Sequence, residues 1–186
     1  LLDFAVMREG KQIGTHVLTF RQTGERIDVT IKTRIAVKFA FITVYHFEHD
    51  GQETWQNGRL VALKTITNDD GTDHTLTASL DGAGRLRVIG DGKEMTAAPD
   101  VVPASLWNPA FVRTKALMDS LVGKMLDIRI SDRGVEAVMV KGAKTNARHY
   151  SMTGELAREL WYDDNWVMVR MALTGKDGSA VEYILR

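Results

Sequence analysis

The stretch Arg26-Ile27-Asp28-Val29-Thr30-Ile31-Lys32-Thr33-Arg34-Ile35-Ala36-Val37-Lys38 decides the fold class. Ile27, Val29, Ile31, Ile35 and Val37 fall on one parity. Arg26, Asp28, Thr30, Lys32, Arg34 and Lys38 fall on the other. Successive side chains of a strand point to opposite faces, so this period of two describes a strand with one dry and one wet face. The alternation returns at Val135, Ala137 and Met139, at Val167, Val169, Met171 and Leu173, and at Val181, Tyr183 and Leu185.

Turn signals punctuate the chain between such runs. Asp50-Gly51, Asn57-Gly58, Asp70-Gly71, Asp81-Gly82, Asp91-Gly92 and Asp177-Gly178 are hairpin dipeptides, because glycine tolerates the positive φ of tight turns. Glu9-Gly10, Thr23-Gly24 and Arg133-Gly134 add weaker punctuation. The cadence predicts about thirteen short antiparallel strands, closed into a barrel or a strongly curled, wrapped sheet. The whole of residues 1–186 reads as one all-β domain.

One segment resists that cadence. No turn residue separates Arg26 from Asp50. A straight strand of that length would run about 80 Å, too long for one small domain. The break is expected at Phe39–Val44, Phe-Ala-Phe-Ile-Thr-Val, where both faces turn apolar. This stretch reads either as a strand covered on both faces or as an apolar lip that touches a ligand, a partner or a membrane surface.

The sequence predicts a single helix, a short α-helix near residues 109–122. Asn108 fits its N-cap, Pro109 its first turn and Gly123 its stop. Ala110, Phe111, Leu117, Met118, Leu121 and Val122 gather on one side at helical spacing. The stretch before it, 97–106, reads as a crossing loop that divides the sheet into two halves.

Composition removes several functions. Lysine and arginine number 24 and aspartate and glutamate 24, so the net charge is zero. Neutrality, with no lysine/arginine run longer than two, leaves no electrostatic footprint for nucleic acid. Without cysteine there are no disulfides, thiolate metal sites or cysteine nucleophile. No apolar stretch is long enough for a membrane-spanning helix. The sequence begins Leu1-Leu2-Asp3 without a methionine, which fits removal of a signal peptide or of other preceding residues.

Few residues suggest chemistry. In His46-Phe47-Glu48-His49, His46 and Glu48 share one strand face and His49 takes the other, so no complete zinc site results. No metal or cofactor is expected, and no catalytic residue is assigned. Asp163-Asp164 reads as a hairpin turn. The aromatics carry more information. Tryptophan combines a large apolar area with one donor, which suits either a cavity rim or the packing of barrel ends. Phe39, Phe41, Tyr45, Trp55, Trp107 and Trp161 are therefore the ligand-binding candidates. Glu53 and Trp55 share a strand face, and Arg59 on the returning strand is expected to pair with one of them. Trp107 is expected to anchor the following segment against the sheet.

Ile13-Gly14-Thr15-His16, Glu53-Thr54-Trp55-Gln56-Asn57-Gly58-Arg59-Leu60, Ser105-Leu106-Trp107-Asn108, Leu160-Trp161-Tyr162-Asp163, Asp177-Gly178-Ser179 and Tyr183 carry a resemblance. Together they resemble a family of bacterial exported β-rich domains of unknown function. That family is distantly similar to periplasmic domains that handle lipids or lipoproteins. The resemblance implies a periplasmic location and an all-β fold, and it supplies no catalytic residues.

Three functional readings follow. The first is a non-enzymatic periplasmic binding protein for an apolar small molecule, a lipid or isoprenoid, held in a barrel cavity. The second is a scaffold or partner-binding domain of an envelope assembly, with a filled core. The third is an acid–base enzyme in the barrel mouth, using His16, His46, Glu48, Glu53 and Asp163. The partners implied are a hydrophobic small molecule or an envelope protein.

Overall fold

Fourteen antiparallel strands form one sheet, in a computed structural model that describes residues 1–40, 42–98 and 100–186, with Phe39 described in its backbone alone. The first eight are β1 (Leu2–Arg8), β2 (Lys11–Thr23), β3 (Arg26–Phe39), β4 (Ile42–Gln56), β5 (Arg59–Asp69), β6 (Thr72–Leu80), β7 (Leu86–Gly90) and β8 (Lys93–Ala97). The rest are β9 (Ala116–Met118), β10 (Met125–Val140), β11 (Ala143–Gly154), β12 (Arg158–Tyr162), β13 (Met168–Thr174) and β14 (Ala180–Leu185).

Every strand pairs with its neighbour in sequence except at one point, and β1 pairs with β14. The two ends of the chain therefore meet mid-sheet, and the sheet's free edges are β8 and β9, from the middle of the sequence. Both edges are short, which limits the exposed row of unpaired backbone groups. The sheet curls without closing; among the described residues no ladder joins β8 to β9.

Residues 100–124, between and beside those edges, pack into the trough of the curl. Leu106, Phe111, Leu117 and Met118 are buried. The Phe111 ring meets Tyr150 and Tyr162 on the late strands. On the early strands, the Thr65 hydroxyl donates to the Ser120 carbonyl at 2.8 Å. Gly90 lies so close to Val122 that a Cβ there would stand 1.9 Å from the Val122 carbonyl oxygen. Leu106 adopts φ 60°, a costly conformation for leucine, and its carbonyl accepts the Tyr162 hydroxyl. This segment is a plug that ties both halves of the sheet together.

The plug corrects the expectation of an α-helix at 109–122. Asn108 does cap, accepting from the Ala110 N–H at 3.0 Å, but the helix is a single 3-10 turn, Pro109–Arg113. Leu117 and Met118 then pair in β9 with Leu126 and Met125. A helical apolar stripe presumes one wet side. Here Ala110, a member of that stripe, is itself exposed, and Leu117 and Met118 are buried from a strand, so the apolar spacing carries no helical meaning. Gly123, at φ 77°, closes a turn whose Asp119 carboxylate accepts from the N–H groups of Leu121 and Val122.

Most turn signals hold, and the Arg26–Asp50 stretch breaks where expected, between β3 and β4 with Ala40 at φ 53°. Two signals are corrected. Asp50-Gly51 lies inside β4, paired with Lys32 and Ile31 of β3. Gly134 sits within β10 at a register shift between Asp132 and Gly134. That bulge also bears on the dry face of β10. Val138 and Val140 are buried, whereas Val135 and Met139 are more than half exposed. In Val135–Val140 both parities are apolar, so alternation could not tell the faces apart.

Candidate functional site

One strand crosses every layer of the interior. Along β3, Val29 and Ile31 are buried in the plugged half, Thr33 is buried at mid-height, and Ile35 and Val37 line an open cleft. Along β4 the matching residues are Glu53, Gly51, His49, Phe47 and Tyr45.

In the plugged half, Glu53 is buried and its Oε2 accepts from the indole N–H of both Trp55 and Trp107, each at 2.8 Å. The two indoles meet edge to face at 5.6 Å, and Phe20 caps Trp107 at 5.2 Å. Burial pushes the Glu53 carboxyl up, against hydrogen bonding from Ser105, Trp107 and Trp55. Glu53 Oε1 has no hydrogen-bond partner among the described residues. Trp107 thus anchors the plug as expected, but Glu53 takes both indoles in place of Arg59, which is exposed.

At mid-height, His16, Thr33, His49 and Thr67 are cross-strand neighbours on β2 to β5, all facing inward and all buried. His16 Nδ1 meets the Thr33 hydroxyl at 2.7 Å, and His49 Nδ1 meets the Thr67 hydroxyl at 2.7 Å. Burial, then the neighbouring His49, lowers His16 to about 4. Burial lowers His49 as well. The belt lies two residues from the cleft-lining Ile35 and Phe47. The His16 ring packs edge-on against Tyr183, which lines the cleft, at 5.4 Å.

The cleft itself measures about 850 Å³ and opens between the β3–β4 hairpin and β13–β14. Ile13, Ile35, Val37, Phe47, Leu173 and Val181 make its apolar walls. A register shift between Val37 and Lys38 brings Val44 in beside Tyr45. Polar side chains stand among these walls. Arg8 pairs with Asp177 and donates to the Ser179 hydroxyl. Asp177 is held down to about 2 by hydrogen bonds from Ser179 and by Arg8. Tyr45 donates to Asp69 at 2.8 Å, and burial is the main cause that pushes its phenol up. Arg158 donates to the Ala157 carbonyl and has no carboxylate partner among the described residues. Burial lowers its guanidinium, opposed by Tyr183.

The ligand-binding candidates do not converge on one place. Tyr45 lines the cleft. Trp55 and Trp107 form the Glu53 latch in the plugged half. Trp161 lies on the sheet face opposite Phe111, stacked on His149 at 4.4 Å and covered by Arg170. Phe41 and the Phe39 side chain fall outside the described residues. The sequence reading missed Arg158 and Arg8. Each shares the parity of a dry face, Arg158 with Leu160 and Tyr162, Arg8 with Phe4 and Val6. A charge on a dry face was the available signal.

The acid–base candidates are also scattered. His46 and Glu48 lie on the face opposite His16 and Glu53, and Asp163 caps the β12–β13 turn through the N–H groups of Asn165 and Val167. Ser151, His149 and Glu159 do meet on the outer face. There Ser151 donates to Glu159 at 2.8 Å, and His149 Nε2 lies 2.6 Å from the same carboxylate. The serine is bonded to the acid and not to the imidazole, so no base–nucleophile relay is formed. Among the described residues no three His, Asp or Glu side chains are placed to hold a metal.

The sequence matches the family described as Domain of unknown function (DUF6134) over residues 4–186. The chain belongs to the DUF6134 family. No curated protein matches it. Among solved structures, this DUF6134 chain is similar to a beta-barrel-like protein of Domain of Unknown Function DUF1849 from Brucella abortus. The identity is 13%, the TM-score 0.62, and the match covers 100% of this chain and 94% of the other. At that identity the likeness concerns the fold, and it agrees with the curled DUF6134 sheet.

Proposed function

We propose that this protein is a periplasmic, non-enzymatic carrier that holds an apolar small molecule, a lipid or isoprenoid, in the cleft above the histidine–threonine belt. The supporting observation is the half-filled interior. The plug occupies one half of the trough, and the other half is left as a cleft of about 850 Å³ lined by Ile13, Ile35, Val37, Phe47, Leu173 and Val181 among polar residues. Ligand sites are concave, mostly apolar and about 300–1,000 Å³ in volume. The periplasmic location rests on the resemblance to exported domains. The test is to purify the protein from its native host, extract it with organic solvent and identify what is released by mass spectrometry. Val181→Trp, which fills the cleft, is expected to abolish uptake of a hydrophobic fluorophore without changing the circular dichroism. A blank extract together with no fluorophore uptake by the unchanged protein would sink the reading.

A second reading, a partner-binding domain of an envelope assembly, draws on the hairpin tip. Ile42 there is 69% exposed and Val44 53%. Exposed apolar groups beside one another mark contact surfaces. Ile42→Asp is expected to abolish partner pull-down under that reading and to leave fluorophore uptake intact under the first.

A further inference from the structure

The cleft is not uniformly apolar, and its charges are unequal. Arg8, Lys38, Arg158 and Lys176 contribute to its lining, against Asp177 alone. Arg8 is committed to Asp177 and Lys176 to Asp69. Lys38 is exposed at the rim. Arg158 differs from all of these. It enters from β12 on the inward face, between Met152 and Leu160 in the layering of the sheet, with Leu173 beside it on β13. Among the described residues its one hydrogen bond goes to the neighbouring Ala157 carbonyl. A guanidinium carries five N–H donors, so most of its bonding capacity faces the cleft unspent. Tyr183, on the same wall, makes no hydrogen bond through its hydroxyl to another described residue. Placing a charge against apolar walls is costly unless a counter-charge arrives.

We propose that Arg158, assisted by the Tyr183 hydroxyl, receives the acidic head group of an amphiphile whose apolar body lies against Ile35, Val37 and Val181. This rests on the carrier reading above and specifies the ligand's chemistry: one anionic head, carboxylate or phosphate, on a long apolar chain. Guanidinium suits either head, because its planar fork pairs with two oxygens at once. The apolar walls and the Arg158 guanidinium, which has no carboxylate partner among the described residues, together favour an acidic amphiphile over a purely hydrocarbon ligand.

The experiment compares oleate, oleoyl lysophosphatidate and oleyl alcohol by titration calorimetry against the unchanged protein and Arg158→Gln. The acidic amphiphiles are expected to bind the unchanged protein about tenfold or more tightly than the alcohol, as a charge-assisted hydrogen bond warrants. Arg158→Gln is expected to remove that advantage and leave alcohol binding in place. Whichever acid binds better identifies the head. Equal affinity for acids and alcohol, or an advantage that survives in Arg158→Gln, overturns the head-group assignment while the cleft remains a binding site. Failure of all three to bind the unchanged protein overturns the carrier reading itself. The comparison within the unchanged protein does not depend on the variant's folding, and Arg158→Lys, which retains the charge, is expected to keep part of the advantage.

Discussion

The Trp107 indole donates to the Glu53 carboxylate at 2.8 Å across 54 residues of sequence. This bond joins the plug to the curled sheet, and Trp55 completes it from the same strand as Glu53. A carboxylate in such a place is held by two donors and opposed by burial.

Burial raises the Glu53 carboxyl, so the sign of its pH effect is fixed. The folded state prefers the neutral acid. Its contribution to stability is full below the ordinary glutamate value and is lost as pH rises through the higher folded value. Glu53→Gln is expected to flatten the pH dependence of urea unfolding above pH 4.5, the ordinary glutamate value. Glu53→Leu leaves two buried indole N–H groups unpaired and is expected to cost about 2–4 kcal/mol. An unchanged pH profile in Glu53→Gln would count against this account.

His16 runs the other way. Its folded value is lowered to about 4 from 6.5 by burial and by His49. The neutral ring's contribution is present above 6.5 and is lost as pH falls towards 4. Nitrogen NMR of the imidazoles is expected to place the His16 titration near 4. Titration near 6.5 would show that the ring is solvated and the belt open to water.

Gly90 tests the plug's seat. Gly90→Ala drives a methyl into the Val122 carbonyl, and overpacking of this kind costs about 3 kcal/mol. Gly82, which meets nothing within 4 Å and has no positive φ, is the control. Gly82→Ala is expected to be neutral or slightly stabilising, by about 0.5 kcal/mol. Denaturation midpoints compare the two directly.

Tyr162→Phe removes the donor to the Leu106 carbonyl inside the core. A buried acceptor left unpaired costs about 1–3 kcal/mol. Because Leu106 sits at positive φ, amide exchange of the 101–107 stretch is expected to rise more than that of β1 or β2. Uniform exchange across the chain would show that the hydroxyl is not what holds that conformation.

The alternation from Arg26 to Lys38 was enough to read an all-β protein of many hairpins, and the curled fourteen-stranded sheet agrees. Asn57-Gly58, Asp70-Gly71 and Asp91-Gly92 announced their own turns, because positive φ is a local demand that glycine meets locally. Asp50-Gly51 carried the same signature and is strand, because ladder bonds to both neighbours outweigh a turn propensity. The helix at 109–122 failed for a related reason. Ladder bonds between Leu117–Met118 and β10 outweigh the helical spacing, and Ala110 of the supposed apolar side is exposed.

The candidate site was less legible than the fold. Tyr45 lines the cleft, whereas Trp55 and Trp107 form the latch of the plug, because an indole suits a latch as well as a rim. Arg158 and Arg8 lay on dry parities, a signal that could have been read beforehand.

The sequence by itself determined strand identity, most hairpins and the absence of thiol chemistry, since each depends on neighbours one or two residues apart. Only the tertiary structure decided that β1 meets β14, that 100–124 fills half of the trough, and that Arg158 has no counter-charge among the described residues. Those facts depend on which distant side chains share one enclosed volume, and periodicity along a chain carries no record of that.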